Sequence, residues 1–283
     1  MACTSRRKPE WLKIKLPKGQ LSVEVNQIVR SNNLHTICTS GMCPNQGECW
    51  GCGTATFMIG GSVCTRACKF CNVTTGKPAP LDPQEPANIA NSVSLLKLKH
   101  AVITSVDRDD LDDLGASHWV DVILAVKEKN PGTTMEVLIP DFQGRPELVQ
   151  QVIEAKPEVI SHNLETVRRL SRDVRSRATY EVSLQVIKQV AGSGLVSKSG
   201  IMLGLGETKE EILETMDDLR RVGCQVMTIG QYLQPSAENI EVKEYIRPEV
   251  FEEYQRIGLE KGFKYVESGP LVRSSYHAER HVR

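Results

Sequence analysis

No stretch of this chain approaches the roughly 18 consecutive apolar residues that a membrane span requires. Its opening residues, MACTSRRKPEWLKIKLPKGQ, hold no apolar run of signal-peptide length, so a secreted disulfide scaffold is not expected. Basic and acidic residues balance at 35 each, which leaves no charge excess of the kind that marks a dominant nucleic-acid footprint. Internal repeats and low-complexity segments are also missing, which excludes solenoid and propeller architectures. The 283 residues allow one large domain or two small ones, with enough chain to bury a core without covalent staples. Neither nucleic acid nor membrane is an expected partner, and a reducing cytoplasm is the expected compartment.

Cysteine is abundant by contrast, with nine in the chain. In a reducing compartment such a count points to metal-binding thiolates. Three fall in CTRACKFCNV: Cys64, Cys68 and Cys71, spaced CxxxCxxC with Phe70 before the last. Three more lie upstream in CTSGMCPNQGEC: Cys38, Cys43 and Cys49. Each triplet is one ligand short of a closed four-ligand site.

Three simpler readings compete. Cys49 with Cys52 and Cys68 with Cys71 form two CxxC pairs at zinc-ribbon separation. That reading leaves Cys38, Cys43 and Cys64 without a role and places the strand-like TATFMI inside the knuckle. Buried free thiols suit Cys224, on an expected strand, and Cys3 suits a tail, but an ordered series does not fit core packing. A ferredoxin supplies four thiolates per cluster and needs no long α/β chain behind it. A vacancy at the metal, in contrast, lets iron bind a substrate or cofactor, as the open position of catalytic metal sites does.

Downstream of residue 53 the pattern alternates. Short apolar runs (54–59, 101–106, 135–140, 158–163, 199–206, 224–230 and 263–268) are separated by amphipathic stretches. Runs apolar throughout, with helices between them, predict a parallel sheet covered on both faces. The expected fold is α/β, a partial (β/α)6 barrel of the TIM type with N-terminal and C-terminal extensions. The expected division is 1–53, 54–240 and 241–283. Thr208 with Glu211 predicts a capping box, and Pro248 and Gly262 bracket another helix. Polar residues follow the runs: Asp107, Arg108, Asp109, Asp141, His162, Asn163, Glu207 and Gln231. In barrel-like folds that rim carries the chemistry, although residues 107–109 suit a local ion-pair turn equally well. GLGE lacks the third glycine of a dinucleotide loop.

CxxxCxxC on the loop after a first barrel strand resembles the radical S-adenosylmethionine superfamily. The upstream triplet, together with TSVDRDDL (104–111), HNLETV (162–167), KSGIMLGLGET (198–208), GQYLQPS (230–236) and VESGPLVRSSYHA (266–278), is similar to the lipoyl synthase family. The resemblance spans about residues 30–278. It implies two [4Fe–4S] clusters, with S-adenosylmethionine as co-substrate. One cluster, on Cys64, Cys68 and Cys71, would chelate S-adenosylmethionine and cleave it to a 5′-deoxyadenosyl radical. The other, on Cys38, Cys43 and Cys49, would be closed by a serine of RSSY, Ser275 in preference to Ser274, and would donate sulfur. The implied reaction inserts sulfur at C6 and C8 of an octanoyl chain carried on a lysine. Those C–H bonds are unactivated, so a carbon radical is needed.

The implied partners are octanoylated lipoyl domains of 2-oxoacid dehydrogenase E2 subunits, the glycine cleavage H protein, a reducing electron donor and an iron–sulfur cluster carrier. Asn163, Glu207 and Gln231 are expected near S-adenosylmethionine, and Arg273 near the second cluster or the substrate carbonyl. His35 is expected to pack and His162 to support the site. Cys52 departs from the family pattern. The basic N-terminal stretch (Arg6, Arg7, Lys8, Lys13, Lys15 and Lys18) is expected as a solvated tail that can touch an acidic carrier. A biotin synthase-like or methylthiotransferase enzyme and a zinc-binding interaction protein are the alternatives.

Overall fold

The computed structural model describes residues 8–13, 20–32, 34–52 and 54–282. Cys3, Arg6, Arg7, Lys15 and Lys18 lie outside the described residues. The chain opens with α1 (Gln20–Ser31), β1 (His35–Thr36), α2 (Ile37–Ser40), α3 (Gln46–Gly51) and β2 (Thr56–Ile59). A small two-stranded ladder follows, β3 (Val63–Cys64) beside β4 (Thr74–Thr75). Then helices and strands alternate: α4 (Glu85–Leu95), β5 (His100–Ser105), α5 (Ala116–Lys129), β6 (Thr134–Leu138), α6 (Pro146–Glu154), β7 (Val159–Ser161), α7 (Ser171–Val174), α8 (Tyr180–Gly192), β8 (Val196–Leu203), α9 (Lys209–Arg221), β9 (Val226–Gln231), α10 (Pro248–Glu260) and β10 (Tyr265–Gly269).

Each of the apolar runs is a strand of one sheet, in the order β1-β2-β5-β6-β7-β8-β9-β10. All neighbours from β2 onward are parallel, and only β1 runs antiparallel, His35 facing Met58. Consecutive strands lying side by side, each joined through a helix, make a partial barrel. All four residues of β2 and all six of β9 are buried, as strands covered on both faces require. The extensions join this sheet: β1 pairs with its first barrel strand, and β10 adds a parallel strand beyond the six of the expected barrel.

The helix signals act locally as expected. The Thr208 hydroxyl accepts from the Glu211 amide while the Glu211 carboxylate accepts from the Thr208 amide, closing the capping box at α9. α10 starts at Pro248, and Gly262 takes φ +91° just past its end, a conformation that costs glycine nothing. Two apolar layers result. One packs α4, α5 and α6 on the outer face of the early strands; the other packs α9 and α10 on the late ones. Among the described residues, no helix is long and apolar enough to cross a membrane.

Candidate functional site

The loop after β2 carries the downstream triplet. Cys64 sits in β3, and the β3–β4 pairing folds the segment back, with the Gly76 amide on the Cys64 carbonyl at 3.0 Å. Backbone amides point at the sulfurs: Arg66 and Asp107 at Cys64 (3.4 and 3.3 Å), and Val73 at Cys71 (3.5 Å). Cys68 Sγ lies 3.6 Å from the Ser176 hydroxyl. Amides directed at sulfur stabilise the thiolate form. Asn239 donates to the carbonyls of Lys69 and Cys71 and ties the loop to the segment after β9.

Arg66, inside the CTRAC stretch, holds this loop to the barrel rim. Its side chain is buried and donates to both oxygens of Asp109 at 2.8 Å. It also lies 3.3 Å from Asp107 and 2.8 Å from Asp141. Burial alone would depress this guanidinium; hydrogen bonding to Asp109 and the charges of Asp107 and Asp141 more than offset that and hold it above its ordinary range. Asp107 and Asp109 therefore bind the cysteine loop, and the local ion pair of that stretch is Arg108 with Asp110.

The upstream triplet is built on two short helices. Thr36 caps α2 through its hydroxyl, which places Cys38 in the first turn. The Cys43 amide bonds back to the Cys38 carbonyl, and Cys49 lies in α3. Burial pushes the Cys49 thiol up to about 12, and the neighbouring Cys38 and Cys43 sulfurs add to it. Burial likewise raises Cys38, and lifts Cys64 and Cys71 to about 11 each. Buried thiols that oppose one another's ionisation are what bound metal ions relieve, since a coordinating thiol is deprotonated outright. This donor set fits a soft, multi-iron centre in each triplet. Among the described residues, no group of three or more thiol, imidazole or carboxylate side chains is gathered as a single-ion site. Cys52, exposed at the end of α3, stands apart from the cavity described below, and Cys224 is a buried thiol against the Val226 carbonyl.

The C-terminal segment reaches the upstream triplet. Asn45 donates to the Leu271 carbonyl at 2.7 Å, and the Tyr276 hydroxyl lies 3.4 Å from Glu48. Arg273 donates to the carbonyls of Gln231 and Val272. Burial lowers its pKa, and the nearby Cys43 partly offsets that. Close passage depends on Gly230, where a Cβ would stand 2.1 Å from the Val272 carbonyl oxygen. Ser274 has both polar groups engaged, its hydroxyl donating to Asn163 Oδ1 at 2.9 Å and its carbonyl accepting from Lys198 at 2.6 Å. The Ser275 hydroxyl makes no hydrogen bond among the described residues.

These parts converge on one cavity of about 290 Å3 in the barrel mouth, lined by Cys38, Cys43, Cys71, Ser274 and Ser275 together. Its wall is the inner face of the sheet, as the alternate positions Glu136 and Leu138, Gly200 and Met202, and Thr228 and Gly230 attest. Asn163 and Gln231 line it too, but the Gln231 amide is fully occupied, donating to the Leu203, Tyr232 and Glu244 carbonyls and accepting from Ile246. Glu207 accepts from the amides of Gly204 and Leu205 and braces that loop. His162 supports the wall from behind, bonded to the Ile139 carbonyl and Ser183. His35 lies in β1, opposite Met58 of β2.

Arg66, Glu165, Glu136 and Lys198 are absent from the sequence-based candidates. Glu165 faces the cavity next to Asn163; desolvation raises its pKa, and Arg175 partly offsets this. For Glu136 a signal exists, since it is a charge inside the apolar run 135–140; Lys198, between two serines just ahead of the run 199–206, offers none.

Comparison with known proteins agrees with this geometry. Residues 58–219 match the model of the radical SAM superfamily. A protein of Treponema denticola named lipoyl synthase is 74% identical over 282 residues, covering 100% of this chain and 97% of that one. One of Parabacteroides distasonis with the same name is 65% identical over 276 residues, covering 98% of each chain. Among solved structures, Streptococcus suis SuiB bound to S-adenosylmethionine superposes with a TM-score of 0.60 at 11% identity, over 87% of this chain and 59% of that one. Methylornithine synthase gives 0.54 at 13% identity, over 86% and 77%. At those identities the structures speak for the fold alone. Whole-length identity of this order leaves neither the zinc module nor another sulfur-inserting enzyme as the better reading, and this chain belongs to the lipoyl synthase family of the radical SAM superfamily.

Proposed function

We propose that this chain inserts two sulfur atoms, at C6 and C8, into an octanoyl group on a lysine of a carrier protein. Cys64, Cys68 and Cys71 hold one [4Fe–4S] cluster, and Cys38, Cys43, Cys49 and Ser275 hold the other. When bound, the two clusters and S-adenosylmethionine supply the electron, the hydrogen-abstracting radical and the sulfur. The observation that supports this reading is the shared cavity, lined by Cys38 and Cys43 of one triplet, by Cys71 of the other, and by Arg273, Ser274 and Ser275 of the RSSY segment.

The chain's own residues position and shield. Arg66 and its three carboxylates fix the CxxxCxxC loop to the rim. Asn163 and Glu165 offer polar contacts beside Cys71 for the amino-acid end of S-adenosylmethionine. Gln231 and Glu207 act through the backbone they brace. Val102, Leu138 and Met202 give an apolar wall that suits an eight-carbon chain and excludes water. Residues 1–53 and 241–283 serve the sulfur-donating cluster, and residues 54–240 serve radical generation. Partners of matching chemistry are octanoylated lipoyl domains of 2-oxoacid dehydrogenase E2 subunits, the glycine cleavage H protein, a low-potential electron donor and a cluster carrier. A reducing cytoplasm suits eight described cysteines that are all free.

Anaerobic reconstitution tests the whole reading. The expected result is about eight irons per chain, with 5′-deoxyadenosine and lipoyl-lysine formed from an octanoyl-lysine peptide. A colourless protein that retains zinc and yields neither product overturns it.

A further inference from the structure

Below the cavity, inside the barrel, Lys198 and Glu136 form an ion pair with no solvent exposure on either side chain. Lys198 Nζ lies 2.8 Å from both carboxylate oxygens, 2.6 Å from the Ser274 carbonyl and 3.2 Å from His281 Nδ1. An ammonium has three protons. The carboxylate takes one, the carbonyl another and the imidazole the third, so its hydrogen-bonding capacity is complete.

A buried ion pair is poor evidence of stabilisation, because desolvating two charges cancels most of the attraction between them. Two apolar residues of similar volume would fill the barrel as well. What an apolar pair cannot do is hold a carbonyl. The Ser274 carbonyl and the Ser275 amide share one rigid peptide plane, so a charge-assisted bond to that oxygen also fixes where the Ser275 Cα sits. The Ser274 hydroxyl, bonded to Asn163, pins the same residue a second time. The two adjacent serines thus differ in kind: Ser274 is tethered on both sides, and Ser275 keeps a free hydroxyl at the cavity.

We infer that Lys198, held by Glu136, is a positioning residue that sets the Ser274–Ser275 peptide and so aims the Ser275 hydroxyl at the cluster iron. The inference rests on the reading of Ser275 as a ligand given above. It assigns Ser274 and Asn163 to the same tether, and His281 to the far end of the segment that Lys198 secures.

The test uses a parent chain carrying Cys64→Ala, Cys68→Ala and Cys71→Ala, so that only the upstream cluster is present. The rate at which a chelator removes its first iron is followed by electron paramagnetic resonance. Lys198→Met strands a buried carboxylate and can fail to fold, so the main variant is Lys198→Met with Glu136→Gln, which removes both charges. Loss of a hydrogen bond to a charged donor predicts iron release at least about tenfold faster than in the parent, matching Ser275→Ala. In the iron-free chain, hydrogen exchange at residues 273–276 accelerates in the double variant and stays at the parent rate in Ser275→Ala. Three results overturn the inference. If Ser275→Ala speeds iron release and the folded double variant does not, the positioning role fails alone. If exchange at 273–276 is unchanged in the double variant, it fails likewise. If Ser275→Ala leaves iron release unchanged, the ligand assignment fails and takes this inference with it.

Discussion

Asn72 donates to the carbonyl of Ser40 at 2.9 Å. Asn72 directly follows the last cysteine of the downstream triplet, and Ser40 lies between the first two of the upstream one. The bond links the two cysteine loops across the cavity and fixes their separation. On the proposed assignment of the two triplets, hydrogen abstraction at one loop and sulfur delivery at the other would depend on that separation. Asn72→Ala should cost about 1 kcal/mol of stability and leave S-adenosylmethionine cleavage near the parental rate. The ratio of lipoyl product to 5′-deoxyadenosine should fall. Counting both products in one reaction measures it; an unchanged ratio removes the link from the mechanism.

The triplets themselves should separate in function. Replacing Cys64, Cys68 and Cys71 by alanine should abolish 5′-deoxyadenosine formation. Replacing Cys38, Cys43 and Cys49 should preserve some of it and abolish sulfur insertion. Equal loss of 5′-deoxyadenosine in both folded variants would contradict the division of labour.

Much of this was legible in the sequence, and the reason is locality. Apolar runs such as CQVMTIG and capping signals such as Thr208 with Glu211 are decided within a few residues, and they appear where periodicity puts them. Cysteine spacing is equally local. What escaped is long-range. Nothing near Arg66 in the chain reveals that carboxylates 41, 43 and 75 residues onward will surround it. Lys198 and Glu136 meet across β7, from strands that only the folded sheet brings together, 62 residues apart in the chain. Gln231 follows a strand as a catalytic polar residue would, yet its amide is spent on backbone, because the chain returns over it at Glu244 and Ile246.

Arg66 is the point where the cysteine loop is most exposed to a single change. Arg66→Met removes the cation shared by Asp107, Asp109 and Asp141, and of the three only Asp109 keeps an arginine partner, Arg177 at 3.2 Å. Breaking a buried pair in this way costs about 3–5 kcal/mol. Arg66→Lys keeps the charge and loses the two-pronged contact with Asp109, so its cost should be smaller. Urea unfolding of the iron-free chain gives both values. Equal stability of Arg66→Met and the parent would mean that the clamp carries no load.

His162 gives the fold an acid limit. Its Nδ1–H donates to the Ile139 carbonyl and its Nε2 accepts from Ser183, which in turn accepts from Arg175. Burial, reinforced by the Arg175 charge, lowers its pKa from 6.5 to about 4. A neutral histidine in the fold and a protonatable one in the unfolded chain mean that unfolding takes up a proton between those values. The contribution is therefore complete above pH 6.5 and is lost as pH falls towards 4. The full swing is roughly 3 kcal/mol. The iron-free chain should lose stability over that window, and His162→Gln should flatten this part of the curve. A His162→Gln profile parallel to the parent's would assign the acid limit to other groups.

Ser275 carries the most specific expectation. On the proposed assignment, three thiolates would leave one iron of the upstream cluster without a protein ligand, and Ser275 offers the free hydroxyl on the segment near Cys43. A serine oxygen is a harder ligand than thiolate and matches cluster iron less well, so the bond it makes is the one most readily given up, as suits a cluster consumed for its sulfur. Ser275→Ala should preserve S-adenosylmethionine cleavage, since Cys64, Cys68 and Cys71 are untouched, and should lower the yield of doubly sulfurated product. Ser275→Cys should hold the cluster more firmly and slow sulfur release. Parent enzyme without a cluster-restoring partner should make no more than a single product per chain, because its sulfur source is not replaced. The measurements are spectroscopic ligand assignment and product counts. An oxygen ligand from Ser274, a fourth sulfur from Cys52, or repeated turnover with the upstream cluster intact would each be incompatible with a hydroxyl-closed, sacrificial site.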